Sequence, residues 1–438
     1  MMNSMLSAFS LANAYLRERP LATFLNIVLL GLGVGTIIAL MLTLSQAEER
    51  MERDTAGIDL VIGAKGSPLQ LILSSVFHVD IPTGNIPLAE AKPIISLPQV
   101  RRAIPLALGD SYKTFRIVGT EPEYLHLYGA NLQSGVMWAK PLEAIVGAEV
   151  ARATQLKVGQ SFAGAHGLSE SGDTSGNTHA DHPYQVVGVM APTGSVIDRL
   201  VLTSLDSIWL VHEHEDADEA KSNDKDKHHL EPATLNTIAE KNLAGQVRAQ
   251  VIHDHEPSRE VTAYLIEYAT PLAAASFPRM VNASSSMQAA APAMETARLF
   301  SLIGVGVTTL KVFAGIMMVC AALGIFIGLM NTLNDRQADL ALLRVLGASR
   351  GTVCLTIMVQ GFALGLAGVI LGVALGHLGG EWMGQAIGKT HRIPLTGWTW
   401  VAEEWWIMGA AMLLSVVAAL FPAWRAYRDA VPETLSRA

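Results

Sequence analysis

Four long stretches almost free of charge constrain what this chain can fold into. Leu21 to Leu44 carries no charged residue. At about 1.5 Å of helical rise per residue, it exceeds the roughly 30 Å hydrocarbon core of a bilayer. Ser301 to Met330 is interrupted only by Lys311, and Val353 to Gly376 and Trp405 to Phe421 follow. Backbone polar groups in lipid must be satisfied within the segment, so each stretch is predicted as a transmembrane helix. Arg17 and Arg19 precede the first run, and Ser45 to Ala47 loosely resembles a cleavage site. The run is nevertheless far longer than the roughly 7–15 residues of a signal-peptide core, so a retained anchor is expected. Lys311 is expected to snorkel to the outer interface, with a polar contact inside the helix bundle as the alternative. Trp405, Trp406 and Trp424 are placed like an interfacial belt.

Composition agrees with a membrane protein. Half of the 438 residues are hydrophobic and 16% are charged. The net charge of -8, from 31 basic against 39 acidic residues, argues against nucleic acid as a partner. The two cysteines, Cys320 and Cys354, lie inside apolar runs, so no disulfide framework is expected. About 250 residues separate the first and second spans, too many for a loop, so they are predicted to fold as a domain. The expected class is an α-helical membrane protein with four transmembrane helices and a mixed α/β extracytoplasmic domain inserted between helices 1 and 2.

Arginine placement sets the expected orientation. Arg17, Arg19, Arg336, Arg344, Arg350, Arg425, Arg428 and Arg437 flank the spans on one side, against Lys389 and Arg392 on the other. The richer side is the cytoplasm. The inserted domain then faces outward, into the periplasm of a Gram-negative cell.

Within that domain, Leu60 to Ile62, Arg116 to Gly119, Ala144 to Gly147 and Tyr184 to Met190 read as short strands beside glycine turns. Ala148 to Thr154 reads as a helix, and Met280 to Arg298, rich in alanine, as a helical stalk. The loop Gly63-Ala-Lys-Gly-Ser-Pro-Leu-Gln70 reads as a structural turn, with contact to a substrate or partner as the alternative. Nine of the thirteen histidines fall between His166 and His255, a region in which Gly172 to Asp181 and Glu213 to Asp226 read as low-complexity insertions. His179 and His182, His212 and His214, and His253 and His255 form close pairs, with His228 and His229 nearby. Imidazole with carboxylate suits Zn²⁺ or Cu²⁺. A solvated histidine-rich loop is the plainer reading of the same residues, and zinc the sharper one.

In span three, Gly361, Gly365, Gly368, Gly372 and Gly376 recur close to every fourth residue, a surface for close helix packing in lipid. Gly31, Gly33 and Gly35 in span one read the same way. Gly384 to Thr390 nearly matches a phosphate-binding loop but is one residue too short between its glycines. No HExxH spacing supports a metalloenzyme.

Between spans two and three lies Asn334-Asp-Arg-Gln-Ala-Asp-Leu-Ala-Leu-Leu-Arg-Val-Leu-Gly-Ala-Ser-Arg350. Asn334 is suited to capping a helix and Gly347 to ending one. Ala338, Ala341, Leu342 and Val345 share one side, and Arg336, Asp339 and Leu343 the other. Such an amphipathic segment lies along a membrane surface and offers its second side to a partner.

Asp335-Arg336-Gln-Ala-Asp339-Leu340, then Leu343-Arg344-Val-Leu-Gly347-Ala348, resembles the cytoplasmic signature of FtsX/MacB-type ABC transporter permeases, the type VII mechanotransmission class. Asp339 stands where that family usually has Glu. Pro422-Ala423-Trp-Arg425-Ala426, followed by Pro432-Glu433-Thr-Leu435, is similar to the family's closing motif, one residue shorter before Glu433. Leu16 to Leu21 resembles its N-terminal elbow, and Leu156-Lys-Val-Gly-Gln160 resembles its outer domain.

The resemblance implies a bacterial inner-membrane permease without catalysis of its own. Its implied layout is a cytoplasmic elbow (1–20), span one (21–45), a periplasmic MacB-like domain with stalk and insertions (46–300), span two (301–330) and a coupling helix (331–352). Span three (353–377), a short outer loop (378–404), span four (405–421) and a cytoplasmic C-terminal helix (422–438) complete it. It also implies a homodimer with two copies of an ABC ATP-binding protein, which would bind ATP and Mg²⁺, this chain holding no cofactor beyond the zinc read above. Asp335, Arg336, Asp339, Leu340, Leu343, Arg344, Gly347 and Ala348 would contact that ATPase. Lipid bilayer and a periplasmic or lipoprotein partner complete the expected associations. The function implied is transmission of ATP-driven motion to the periplasmic domain to move a cargo. The alternative is regulation of a periplasmic protein without transport.

Overall fold

The structure, a computed structural model, describes residues 17–166, 182–212, 259–335, 349–391 and 396–428, with Ala12 and Ala14. It divides into two compact units: Arg50–Leu299, and Met1–Glu49 with Phe300–Ala438.

The second of these is a helical unit. It holds α8 (Arg350–His391), α9 (Glu404–Arg428) and most of α1 (Pro20–Thr55) and α7 (Pro292–Asp335), whose residues 50–55 and 292–299 belong to the other unit. Each contains a window apolar enough and long enough to cross a membrane. Helix α8 runs well past Gly376, so residues 378–391, expected as outer loop, are helical instead. The local reason is visible in the chain: Gln385 Nε2 donates to Glu381 Oε1 at 3.1 Å, an i,i+4 pair, and no proline intervenes before Pro394. Asn334 lies in the last turn of α7, which ends at Asp335, and the segment that it is expected to cap lies outside the described residues. Leu30, Val34, Ile38 and Leu42 of α1 pack with Met318, Val369 and Ala411, and Leu329, Val353, Leu364 and Ala419 form a second apolar cluster.

The unit Arg50–Leu299 is built on strands. In chain order its elements are β1 (Leu60–Ala64), α2 (Pro68–Ser75), β2 (Ile86–Pro87), α3 (Leu88–Ile95), β3 (Val100–Tyr112), β4 (Phe115–Thr120), α4 (Glu123–Leu127), β5 (Leu132–Gly135), β6 (Glu143–Val146) and α5 (Ala148–Thr154). Then come β7 (Ser161–Phe162), β8 (Ala165–His166), β9 (Tyr184–Met190), β10 (Val201–Ser204), β11 (Glu260–Val261), β12 (Ala263–Tyr268), α6 (Ala273–Ser284) and β13 (Met287–Ala290). Among the described residues, eleven strands join in one sheet of order β13-β1-β12-β3-β4-β10-β6-β9-β5, with β7 on β9 and β8 on β3. It is mixed: β10 with β4 and β6 with β9 are parallel, and the other pairs antiparallel.

The expected strands lie within β1, β4 and β9 and, except for Gly147, within β6, and α5 matches the expected helix. Strand β4 is buried throughout, which is why Phe-Arg-Ile-Val reads apolar rather than alternating. The expected helical stalk from Met280 to Arg298 is broken. Met287–Ala290 is a strand beside β1, with Ile62 opposite Ala289, and helix resumes only at Pro292. Alanine propensity loses here to a free sheet edge, against which Met287, Ala289 and Ala290 are buried.

Candidate functional site

The candidate site is the helical unit, where small residues and a few buried polar groups set how the long helices meet. A Cβ added at Gly361 would lie 2.4 Å from Ala419 Cβ, and one at Gly365 would lie 2.6 Å from Ser415 Cβ, both on α9. Added at Gly368, Gly372 and Gly376, it would lie 2.6 Å from Leu30, 2.6 Å from Val34 and 2.7 Å from Ile38, all on α1. The five glycines thus form one face of α8 that meets α9 along one half and α1 along the other. Gly31 and Gly35 answer from α1, and Gly33 faces Met318 of α7. Close backbone approach gains dispersion contacts that larger side chains would prevent.

Of the expected ATPase-contact residues, Asp335 alone is described. Its carboxylate pairs with the Arg19 guanidinium, bringing the start of α1 beside the end of α7. Arg336, Asp339, Leu340, Leu343, Arg344, Gly347 and Ala348 lie outside the described residues. Gly384 to Thr390 falls inside α8, without the strand and loop that a phosphate cradle requires.

Of the histidines read as ligands, His179, His214, His228, His229, His253 and His255 lie outside the described residues. His212 Nε2 is 3.9 Å from Asp110 Oδ1. Among the described residues, no three His, Cys, Asp or Glu side chains converge to hold a metal.

The sheet unit holds its own buried polar groups. Arg116 donates to Asp80 O at 2.8 Å and Ser74 O at 3.3 Å, and burial pulls its guanidinium down to about 10. His78 Nε2 lies 3.0 Å from Tyr124 Oη, with Nδ1 buried and unpartnered. Burial first, then the Arg116 and Arg199 charges, holds its imidazole well below the usual value, so it is neutral. The Gly63–Gln70 segment is tied to its surroundings: Ser67 caps α2, Lys65 donates to Ser285 O, and Gln70 to Ile81 O.

One cluster had no signal in the sequence. Where residues 396–403 return against α8, His377 Nδ1 lies 2.5 Å from Gly397 O and Nε2 lies 3.1 Å from Glu404 Oε2. The Glu404 side chain is fully buried and that of His377 is 13% exposed. Gln46 of α1 holds Thr396 through both of its backbone groups, at 2.8 and 3.0 Å. Glu381 accepts from Gly397 N at 3.0 Å. Gly397 sits so close to α8 that an added Cβ would lie 2.0 Å from His377 O.

The model of the MacB-like periplasmic core domain matches residues 23–252, and that of the FtsX-like permease C-terminal region matches 311–431. The lipoprotein-releasing system transmembrane protein LolC of Xylella fastidiosa strain 9a5c is 28% identical over 156 residues, covering 32% of this chain and 38% of LolC. The strain Temecula1 protein gives the same figures. The match therefore spans well under half the length of these relatives. Among solved structures, the periplasmic region of MacB from Actinobacillus actinomycetemcomitans aligns over 56% of this chain and 95% of its own, at TM-score 0.31 and 8% identity. The extracellular domain of YknZ, a transporter from Gram-positive bacteria, aligns over 53% and 98%, at TM-score 0.27 and 10% identity.

Proposed function

We propose, from the premise that this chain belongs to the family of FtsX-like permeases with a MacB-like periplasmic core domain, that it is the motion-transmitting subunit of an ABC transporter. The observation that carries the reading is the order of the two family matches, an outer core domain and then a permease region, over a chain with four membrane-length helices. ATP is hydrolysed by a separate ATPase on the cytoplasmic side of the inner membrane. The segment 334–350 docks on it, with Arg336 and Leu343 facing the ATPase. Closure of two ATPase copies shifts the long helices of two copies of this chain, and the displacement reaches the periplasmic domain. The cargo, by analogy with the lipoprotein-releasing relatives, is an amphiphile drawn from the outer leaflet.

The test is a comparison of the complex carrying Leu343→Asp or Arg336→Glu with the native one. Both variants are expected to keep a folded periplasmic domain and to lose ATPase co-purification or ATPase stimulation by at least about tenfold, the equivalent of roughly 1.4 kcal/mol of docking energy. Native co-purification together with native turnover would overturn the docking assignment.

A further inference from the structure

Helices α1 and α8 meet along two rows of residues that repeat every four positions. On α1 the row is Asn26, Leu30, Val34, Ile38, Leu42 and Gln46; on α8 it is Gln360, Leu364, Gly368, Gly372, Gly376 and Gly380. A Cβ added at Gly368, Gly372, Gly376 or Gly380 would meet Leu30, Val34, Ile38 or Leu42, in that order. The two helices therefore run parallel, with each aliphatic side chain seated in a glycine gap one turn from the next. Continued in the same register, the rows set Asn26 opposite Leu364 and leave Gln360 one turn beyond. Gln360 is 2% exposed, and its amide Nε2 makes no hydrogen bond among the described residues. A buried donor without an acceptor is costly, most of all in a helix surrounded by lipid. Asn26 is 9% exposed, with its amide against Gly324 and Gly328 of α7.

We propose that α1 and α8 form a two-position ratchet, with a second register one helical turn from the one observed. It deepens the motion-transmitting reading and rests on it for what drives the step, though not for the two registers themselves. In the step, α8 slides along α1 toward its own His391 end by four residues, about 6 Å. Val34, Ile38 and Leu42 then seat at Gly368, Gly372 and Gly376, and Gln46 takes the gap at Gly380. The same slip brings Gln360 opposite Asn26, whose carboxamide oxygen accepts from the orphaned Nε2. Helix α9 moves with α8, because Gly361 and Gly365 seat Ala419 and Ser415. Positions between the two registers set side chains against backbone, so the packing switches rather than drifts. Two features hold the observed register. Gln46 is tied to both backbone groups of Thr396 and to Thr399 Oγ1 at 3.1 Å, bonds that the slip breaks. Leu30 meets Leu364 in the second register, and that crowding disfavours it. Residues 351–380 of α8 carry no Asp, Glu, Lys or Arg. At about 1.5 Å per residue they span about 45 Å against a hydrocarbon core of roughly 30 Å, so one turn of slip draws neither Arg350 nor Glu381 into lipid.

The experiment uses the full-length chain without its ATPase, in lipid nanodiscs, so that its failure is not a failure of ATPase docking. Cys320 and Cys354 are replaced by alanine, and labelled chains are diluted with unlabelled ones. Spin labels are placed at the exposed Leu32 with Phe362 in one preparation and at Leu32 with Leu378 in another. In the observed register Leu32 lies level with Ile370, midway between the two α8 positions. A slip shortens the distance to residue 362 and lengthens that to residue 378, each by about 3–5 Å; a splay of the helices moves both the same way. Leu364→Ala makes room for Leu30 and is expected to show the slipped pair of distances. Leu364→Ala with Gln360→Leu is expected to return to the native pair, because the amide that Asn26 receives is gone. Native distances in Leu364→Ala would overturn the proposal. So would two distances that change in the same direction, or a double variant that slips as far as the single one. Gln46→Ala, which breaks only the outer tether, is read in the same way if Leu364→Ala does not fold.

Discussion

Two residues show how single side chains carry this architecture. His78 is neutral in the folded sheet unit and free to protonate when unfolded. Its folded value lies below its unfolded one, so the unfolded chain binds more protons as pH falls below about 6.5. Stability is therefore fully present above that pH and declines below it, by up to about 1.4 kcal/mol per pH unit until the folded imidazole also titrates. Chemical denaturation at stepped pH should show this slope in the native protein and a flattened one in His78→Gln. At Gly372, leucine would drive into Val34 and the Gly31 carbonyl, at an expected cost of about 1–3 kcal/mol. Gly409→Leu, where nothing lies within 4 Å, should be nearly neutral. Thermal midpoints in one detergent separate the two, and equal shifts would contradict the packing account. The glycines were legible because their spacing alone puts them on one face. His377 and Glu404 were not, because they meet only when residues 27 apart on two helices fold back, and each looks ordinary in its own segment.

Among the elements, β13 is the instructive case. It closes one edge of the sheet, and its outward-facing Ala289 is covered by a side chain instead of another strand. Asn282 Oδ1 accepts from Ala289 N at 2.7 Å, and Asn282 Nδ2 donates to Ala289 O at 3.2 Å. Unpaired edges invite association between chains, and this cover blunts one. Asn282→Ala should cost about 1–2 kcal/mol and raise light scattering on heating; a variant that melts and scatters like the native protein would remove this role. The sequence pointed to helix here because three of the four residues of β13 are alanine or methionine, good helix formers whose choice was made by tertiary pairing. The membrane-length helices were legible for the opposite reason. Lipid leaves the backbone one solution, and tertiary context changes only where each helix ends, as in the extension of α8 to His391.

For the whole molecule, the central claim is that ATP-driven movement enters at 334–350 and emerges in the periplasmic domain. Family membership supplies both parts of the chain without supplying the coupling between them. The most direct measurement places a spin label at Val136, 65% exposed on the sheet unit, in the complex with its ATPase, and reads the distance between the two copies with and without trapped nucleotide. The account predicts a shift of several ångströms on trapping, lost when Leu343→Asp is introduced. An unchanged distance in the native complex, or a full shift in the Leu343→Asp complex, would contradict it.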